Sequence, residues 1–128
     1  MQFKKDTQSI FATNFLKIRD IILSIDEIRE QKNAKQTSYY SPYSSICFLR
    51  ANGQRLTMAF AQGYRLQEKY PFLQGEGKIV RHLYFGFDSA IDEELIREMI
   101  EESFILTLEA YELKKLKKSH RCKIVVDE

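Results

Sequence analysis

The chain has 128 residues, 44% hydrophobic and 30% charged, with Gly 5 and Pro 2; it is long enough to bury one core and too apolar for disorder. No apolar run approaches the roughly 18 residues a transmembrane helix needs. The N-terminal segment, carrying Lys4, Lys5, Asp6, Lys17, Arg19 and Asp20, lacks the apolar centre of a secretory signal, so a cytoplasmic protein is expected. The net charge of +2 hides an asymmetry: Lys114, Lys115, Lys117, Lys118, Arg121 and Lys123 share an acid-free stretch, and the rest of the chain is mildly acidic. Lysines near a helix C-terminus suit the macrodipole, and the same stretch could meet an acidic partner. One domain over residues 1–118 with a tail at 119–128 is expected.

Phe11, Phe15, Ile18, Ile22 and Ile25 recur at helical spacing and predict a first amphipathic helix over residues 8–31, capped by Asp6, Thr7 or Ser9 and leaving at Asn33. A strand is expected over 35–40. Residues 44–50 and 55–61 read as a hairpin across Asn52-Gly53, with Leu56, Met58 and Phe60 on one face and Arg55, Thr57, Ala59 and Ala61 on the other. Residues 62–78 carry turn signals, and Tyr70, Phe72 and Leu73 are expected to pin this loop to the body. Residues 79–87 predict another strand, with Ile79, Arg81, Leu83, Phe85 and Phe87 opposite Val80, His82, Tyr84 and Gly86. A second helix over 91–117, begun by Asp88 or Ser89, would bury Leu95, Ile96, Met99, Ile100, Leu106, Ala110 and Leu113. Ile124-Val125-Val126 suggests a short strand or a loose tail. Two helices and an antiparallel sheet with one apolar face imply an α+β fold: a helix–sheet–helix two-layer sandwich with both helices on one face and the other face open.

Chemistry is sparse. Cys47 reads as a buried hydrophobe, and His120-x-Cys122 is at most half a metal site. Arg81 and His82 are adjacent on a strand and face opposite ways, so they form no local acid–base pair. Gly75-Glu76-Gly77-Lys78 precedes a strand, unlike a phosphate-binding loop. A binding role is therefore favoured over catalysis. One candidate surface is the face bearing Arg55, Thr57, His82 and Tyr84, with Lys78 and Arg81 at one end, where small residues leave room and cations suit an anionic group; alternatively His82 and Arg81 serve the fold. Glu94, Glu98, Glu101 and Glu102 form an acidic ridge on the second helix, which could hold iron or simply solvate an exposed face. Tyr39, Tyr40, Tyr43, Tyr64 and Tyr84 could stack bases, yet no RNA-recognition run accompanies them and nucleic acid is not favoured.

Gly63-Tyr64-Arg65-Leu66, Phe72-Leu73-Gln74-Gly75-Glu76-Gly77-Lys78, Val80-Arg81-His82-Leu83 and Ile91-Asp92-Glu93-Glu94-Leu95-Ile96, with Ile18–Leu23 upstream, resemble the YdhG-like family, a bacterial family of unknown function. The likeness spans roughly residues 15–105; the Gly-x-Gly-Lys then Arg-His succession is its most specific part. The chain departs at Tyr40–Tyr43, where the family often has a Trp before a Pro. The resemblance implies a frataxin-like helix–sheet–helix fold, and in one branch an iron chaperone for iron–sulfur assembly. The expected function is a non-enzymatic domain binding a small anionic ligand or a protein, with no cofactor; the alternative is intracellular iron handling.

Overall fold

A computed structural model describes the backbone of residues 1–127 and the side chains of residues 1–119. These residues form four helices and a five-stranded antiparallel sheet, an α+β architecture. In chain order the elements are α1 (Gln2–Thr7), α2 (Ala12–Leu23), β1 (Arg29–Lys32), β2 (Thr37–Tyr40), β3 (Ser45–Ala51), β4 (Leu56–Phe60), α3 (Gly63–Leu66), β5 (Arg81–Phe85) and α4 (Glu93–Asp127). The strands lie in sequence order, a meander. Among the described residues no helix is long and apolar enough to cross a membrane.

The predicted first helix is broken at both ends, and the reason is local hydrogen-bond competition. The Thr7 and Ser9 hydroxyls donate to the Lys4 and Asp6 carbonyls, which separates α1 from α2. Ser24 Oγ donates to Ile21 O at 2.6 Å, and Glu27 follows at φ 73°, so α2 stops at Leu23. Residues 29–31, which the expected helix over 8–31 included, form β1 together with Lys32 instead. None of the expected caps serves α2 directly: Asp6 and Thr7 lie within α1, and Ser9 Oγ accepts the Phe11 N–H just before α2 begins.

The three hairpin turns between β1 and β4 use one device. Asn33, Ser41 and Asn52 each open a four-residue turn, and each side-chain oxygen accepts the two N–H groups that close it. Asn33 Oδ1 accepts from Lys35 and Gln36, Ser41 Oγ from Tyr43 and Ser44, and Asn52 Oδ1 from Gln54 and Arg55. Asn33 thus ends no helix; it turns a hairpin.

Between β2 and β3 the register slips by one residue, Tyr39 facing Cys47 but Tyr40 facing Ser45. The bulge lets the neighbours Ile46 and Cys47 both enter the core. Phe15, Ile18 and Ile22 of α2, Ile96, Met99 and Ile100 of α4, and Leu49, Leu56, Met58, Phe60 and Phe85 of the sheet belong to one buried cluster. Both long helices therefore cover the same sheet face.

Other boundaries move for identifiable reasons. Ser89 Oγ accepts the Gly86 N–H at 2.7 Å and is spent on that turn, so Asp92 becomes the cap of α4, its carboxylate accepting the Leu95 N–H at 3.1 Å. Strand β5 is shorter than expected, and Ile79 and Phe87 fall outside it, exposed. Tyr70 and Leu73 do pin the 62–78 loop, but Phe72 is exposed. Leu113 is also exposed, because α4 has left the body by that point. The helix crosses residue 118 without a break, so 124–126 continue it rather than forming a strand or loose tail.

Candidate functional site

Opposite the helices, strand alternation places one set of side chains on the uncovered face. Cross-strand pairing aligns Gln31, Ser38, Phe48, Ala59 and His82 in one row, and Arg50, Thr57 and Tyr84 in the next. Arg29 and Tyr40 pair at the β1 end. Among these strand residues none is acidic. The Arg55 guanidinium lies 3.6 Å from the centroid of the Tyr84 ring, a close cation–π contact, and His82 lies parallel beside Tyr84 with ring centroids 5.8 Å apart. The structure thus brings Arg55, Thr57, His82 and Tyr84 together as the strand pattern anticipated, and adds Phe48 and Arg50 from β3. Their membership required the strand register, which the sequence does not print.

A depression of about 130 Å³ lies among Gln36, Phe48, Arg50, Thr57, Ala59 and His82. That is well below the roughly 300–1,000 Å³ of pockets that enclose small ligands. His82 is held by its backbone: its N–H donates to Gln74 O and its carbonyl accepts the Gln74 N–H, so the 73–75 segment lines the outer edge of β5. The His82 Nδ1 atom is buried against Gly75 with no hydrogen-bond partner among the described residues.

Lys78 and Arg81 do not join this site. Lys78 is exposed in the turn before β5. Arg81 pairs with Phe60 and so faces the helix side. Its guanidinium donates to Gln67 Oε1 and to the Gly77 and Val80 carbonyls, so it is a clasp for the loop rather than an anion ligand. Gly63 permits the clasp: a Cβ there would lie 2.3 Å from the Arg81 backbone nitrogen.

The acidic ridge does not converge. Glu94, Glu98, Glu101 and Glu102 all lie on α4, but among the described residues no three His, Cys, Asp or Glu side chains come together around a common point. Glu98 is paired with Lys69 Nζ at 3.4 Å instead. His120 and Cys122 lie outside the residues whose side chains are described.

Tyr39, one of the rings weighed and not favoured for base stacking, is fully buried on the helix side. Its hydroxyl donates to Glu30 Oε2 at 3.0 Å, and Arg19 of α2 grips the same carboxylate through two bonds, of 2.7 and 3.0 Å. Burial works to raise the Glu30 pKa, but the Arg19 and Tyr39 hydrogen bonds and the charges of Arg19 and Lys32 outweigh it and hold the carboxyl below its ordinary value. Burial pushes the Cys47 thiol upward, which leaves it an inert core group as expected.

Comparison of the chain with protein-family models, with curated proteins and with solved structures finds no match.

Proposed function

We propose that the chain is a non-enzymatic binding domain of the YdhG-like kind, a helix–sheet–helix two-layer sandwich of frataxin type, and that its working surface is the uncovered sheet face. The element order and the single helix-covered face support the kinship. The observation that carries the function is the composition of the opposite face. Arg29, Arg50 and Arg55 stand among Tyr40, Phe48, His82 and Tyr84, with no acid on these strand positions to neutralise them. Arginine and aromatic rings are the residue types that carry binding energy at protein interfaces. The depression is too small to enclose a metabolite, so the favoured partner is an extended one, an acidic segment of another protein laid across the strands.

The test is a two-dimensional NMR titration of the full chain with poly-L-glutamate, and with single-stranded DNA of equal charge in parallel. Poly-glutamate is expected to shift the amides of Phe48, Arg50, Thr57, His82 and Tyr84. Arg50→Glu/Arg55→Glu is expected to remove those shifts while lowering the melting temperature by no more than about 4 °C, since both side chains are exposed and the Arg55–Tyr84 contact is worth about 0.5–1 kcal/mol at such a site. Shifts confined to Lys114–Lys118, or stronger binding of the DNA, would overturn the reading.

A further inference from the structure

Helix α4 packs on the sheet through one buried stripe that ends at Ser103, Leu106 and Thr107. The Thr107 and Ser41 hydroxyls share a hydrogen bond of 2.8 Å, which places Thr107 over the β2–β3 turn. Tyr43 of that turn packs against Phe104 and Tyr111, with ring centroids 6.3 and 5.1 Å away, and braces the helix where it leaves the body. Residues 111–119, past the turn, are all exposed. Steps of seven and eleven residues return to the same side of a helix, so Lys114, Lys117 and Lys118 continue the sheet-facing stripe beyond the end of the sheet. Where the stripe has a sheet to cover it is apolar or small, and where it has none it is lysine. The acids of this stretch, Glu109 and Glu112, lie on the opposite side, and among the described residues none of the three lysines is in an ion pair.

The turn that α4 overhangs closes the end of the sheet where Arg29 and Tyr40 pair on the open face. At about 3.3 Å per residue, Arg50 of β3 stands about 17 Å from that end. At about 1.5 Å of rise per residue, Lys114 and Lys118 stand about 10 and 16 Å beyond Thr107. A track of cations therefore runs from Arg50 past Arg29 to the lysines, over at most about 33 Å, the length of about ten extended residues. The Ser41–Ser44 turn between the two halves carries no acid, and the Glu30 carboxylate beside Arg29 is spent on Arg19 and Tyr39 on the helix side.

We propose that the partner segment runs along the strands, over the β2–β3 turn, and ends on Lys114, Lys117 and Lys118, so that it is an extended chain of about ten residues with acids at both ends. This inference rests on the sheet-face reading above and adds the direction, the length and the second anchor of the partner. Charge complementarity names the occupant: both ends of the track are cationic, and nothing along it neutralises them. Engaging both ends with one chain makes the second contact intramolecular, so the lysines strengthen binding only for a segment long enough to reach them.

The experiment titrates the full chain with tetra-L-glutamate and with dodeca-L-glutamate at one low ionic strength, affinity being read from the amide shifts of Phe48, Arg50 and Thr57. Tetra-glutamate, about 13 Å long, cannot reach from Arg50 to the lysines, and dodeca-glutamate, about 40 Å long, can. Dodeca-glutamate is expected to shift Lys114, Lys117 and Lys118 in one transition with the sheet face. Lys114→Ala/Lys117→Ala/Lys118→Ala, at exposed positions of a helix that alanine suits, is expected to weaken dodeca-glutamate about tenfold and tetra-glutamate less than about twofold. Equal affinity of wild type and variant for dodeca-glutamate, or lysine shifts that saturate apart from those of the sheet face, would overturn this inference and leave the sheet-face reading standing. No sheet-face shift with either peptide would remove both. A twelve-nucleotide oligothymidylate that shifts the lysines and binds more tightly than dodeca-glutamate would overturn the assignment to an acidic protein segment.

Discussion

The Arg19–Glu30–Tyr39 cluster makes a prediction whose sign separates hydrogen bonding from simple contact loss. Tyr39 is 0% exposed, and its hydroxyl has Glu30 as its partner. Arg19 keeps about a quarter of its side chain in solvent and can rehydrate when Glu30 is lost; the buried hydroxyl cannot. Tyr39→Phe removes a donor whose acceptor stays bonded to Arg19, so it is expected to cost about 1 kcal/mol. Glu30→Ala leaves the hydroxyl orphaned and is expected to cost about 2–3 kcal/mol, adding the penalty for an unsatisfied buried group to the lost ion pair. The double variant has no hydroxyl to orphan. It should therefore be more stable than Glu30→Ala, by about 1 kcal/mol, rather than less stable by the sum of the two losses. For a chain of this length that recovery corresponds to roughly 4 °C in melting temperature. Urea denaturation at neutral pH, read by circular dichroism, measures all three variants. Because the folded pKa of Glu30 lies below its unfolded value, its contribution is present above about pH 4.5 and is lost as the pH falls through the folded pKa. The deficit of Glu30→Ala should therefore shrink in acid. Additive losses, or a deficit that does not change with pH, would refute the reasoning.

Two further outcomes test the supports of the fold. Gly63→Ala should destabilise by about 1–3 kcal/mol in a thermal melt, because the new Cβ meets the backbone of Arg81 and the chain must move apart at the Tyr64 N–H to Ile79 O bond of 2.8 Å; an unchanged melting temperature would remove the role of that close approach. Asp6 is fully buried, and its Oδ1 accepts from Gln2 Nε2 and Ala51 N while its Oδ2 has no partner among the described residues. Burial raises its pKa against the opposing hydrogen bonds, so wild-type stability relative to Asp6→Asn should rise as the pH falls from neutral towards 4; a relative fall, measured by urea midpoints across that range, would show that the bonds to the carboxylate dominate.

What was legible in the sequence is what depends on periodicity and turn chemistry. The spacing of Phe11, Phe15, Ile18, Ile22 and Ile25 identified the buried face of α2; the first four are buried, and Ile25, past the end of the helix, is half-buried. Alternation in 55–61 and 79–87 put Met58 and Phe60 on one face and Thr57, His82 and Tyr84 on the other, and Asn52-Gly53 marked its hairpin, because a two-residue side-chain period and an oxygen-capped turn are local properties. Beyond these local signals, tertiary contact decided. Arg29–Lys32 has the composition of a solvated helix, and it becomes a strand because pairing with β2 lets Glu30 meet both Arg19 and Tyr39. Arg81 looked available to an anion until the loop from Gly63 to Gly77 closed over it, a contact between residues up to eighteen apart. Glu98 resembled part of a metal ridge until α4 brought it beside Lys69. In each case a charged side chain took the partner that long-range packing put within reach, and no local pattern carries that information.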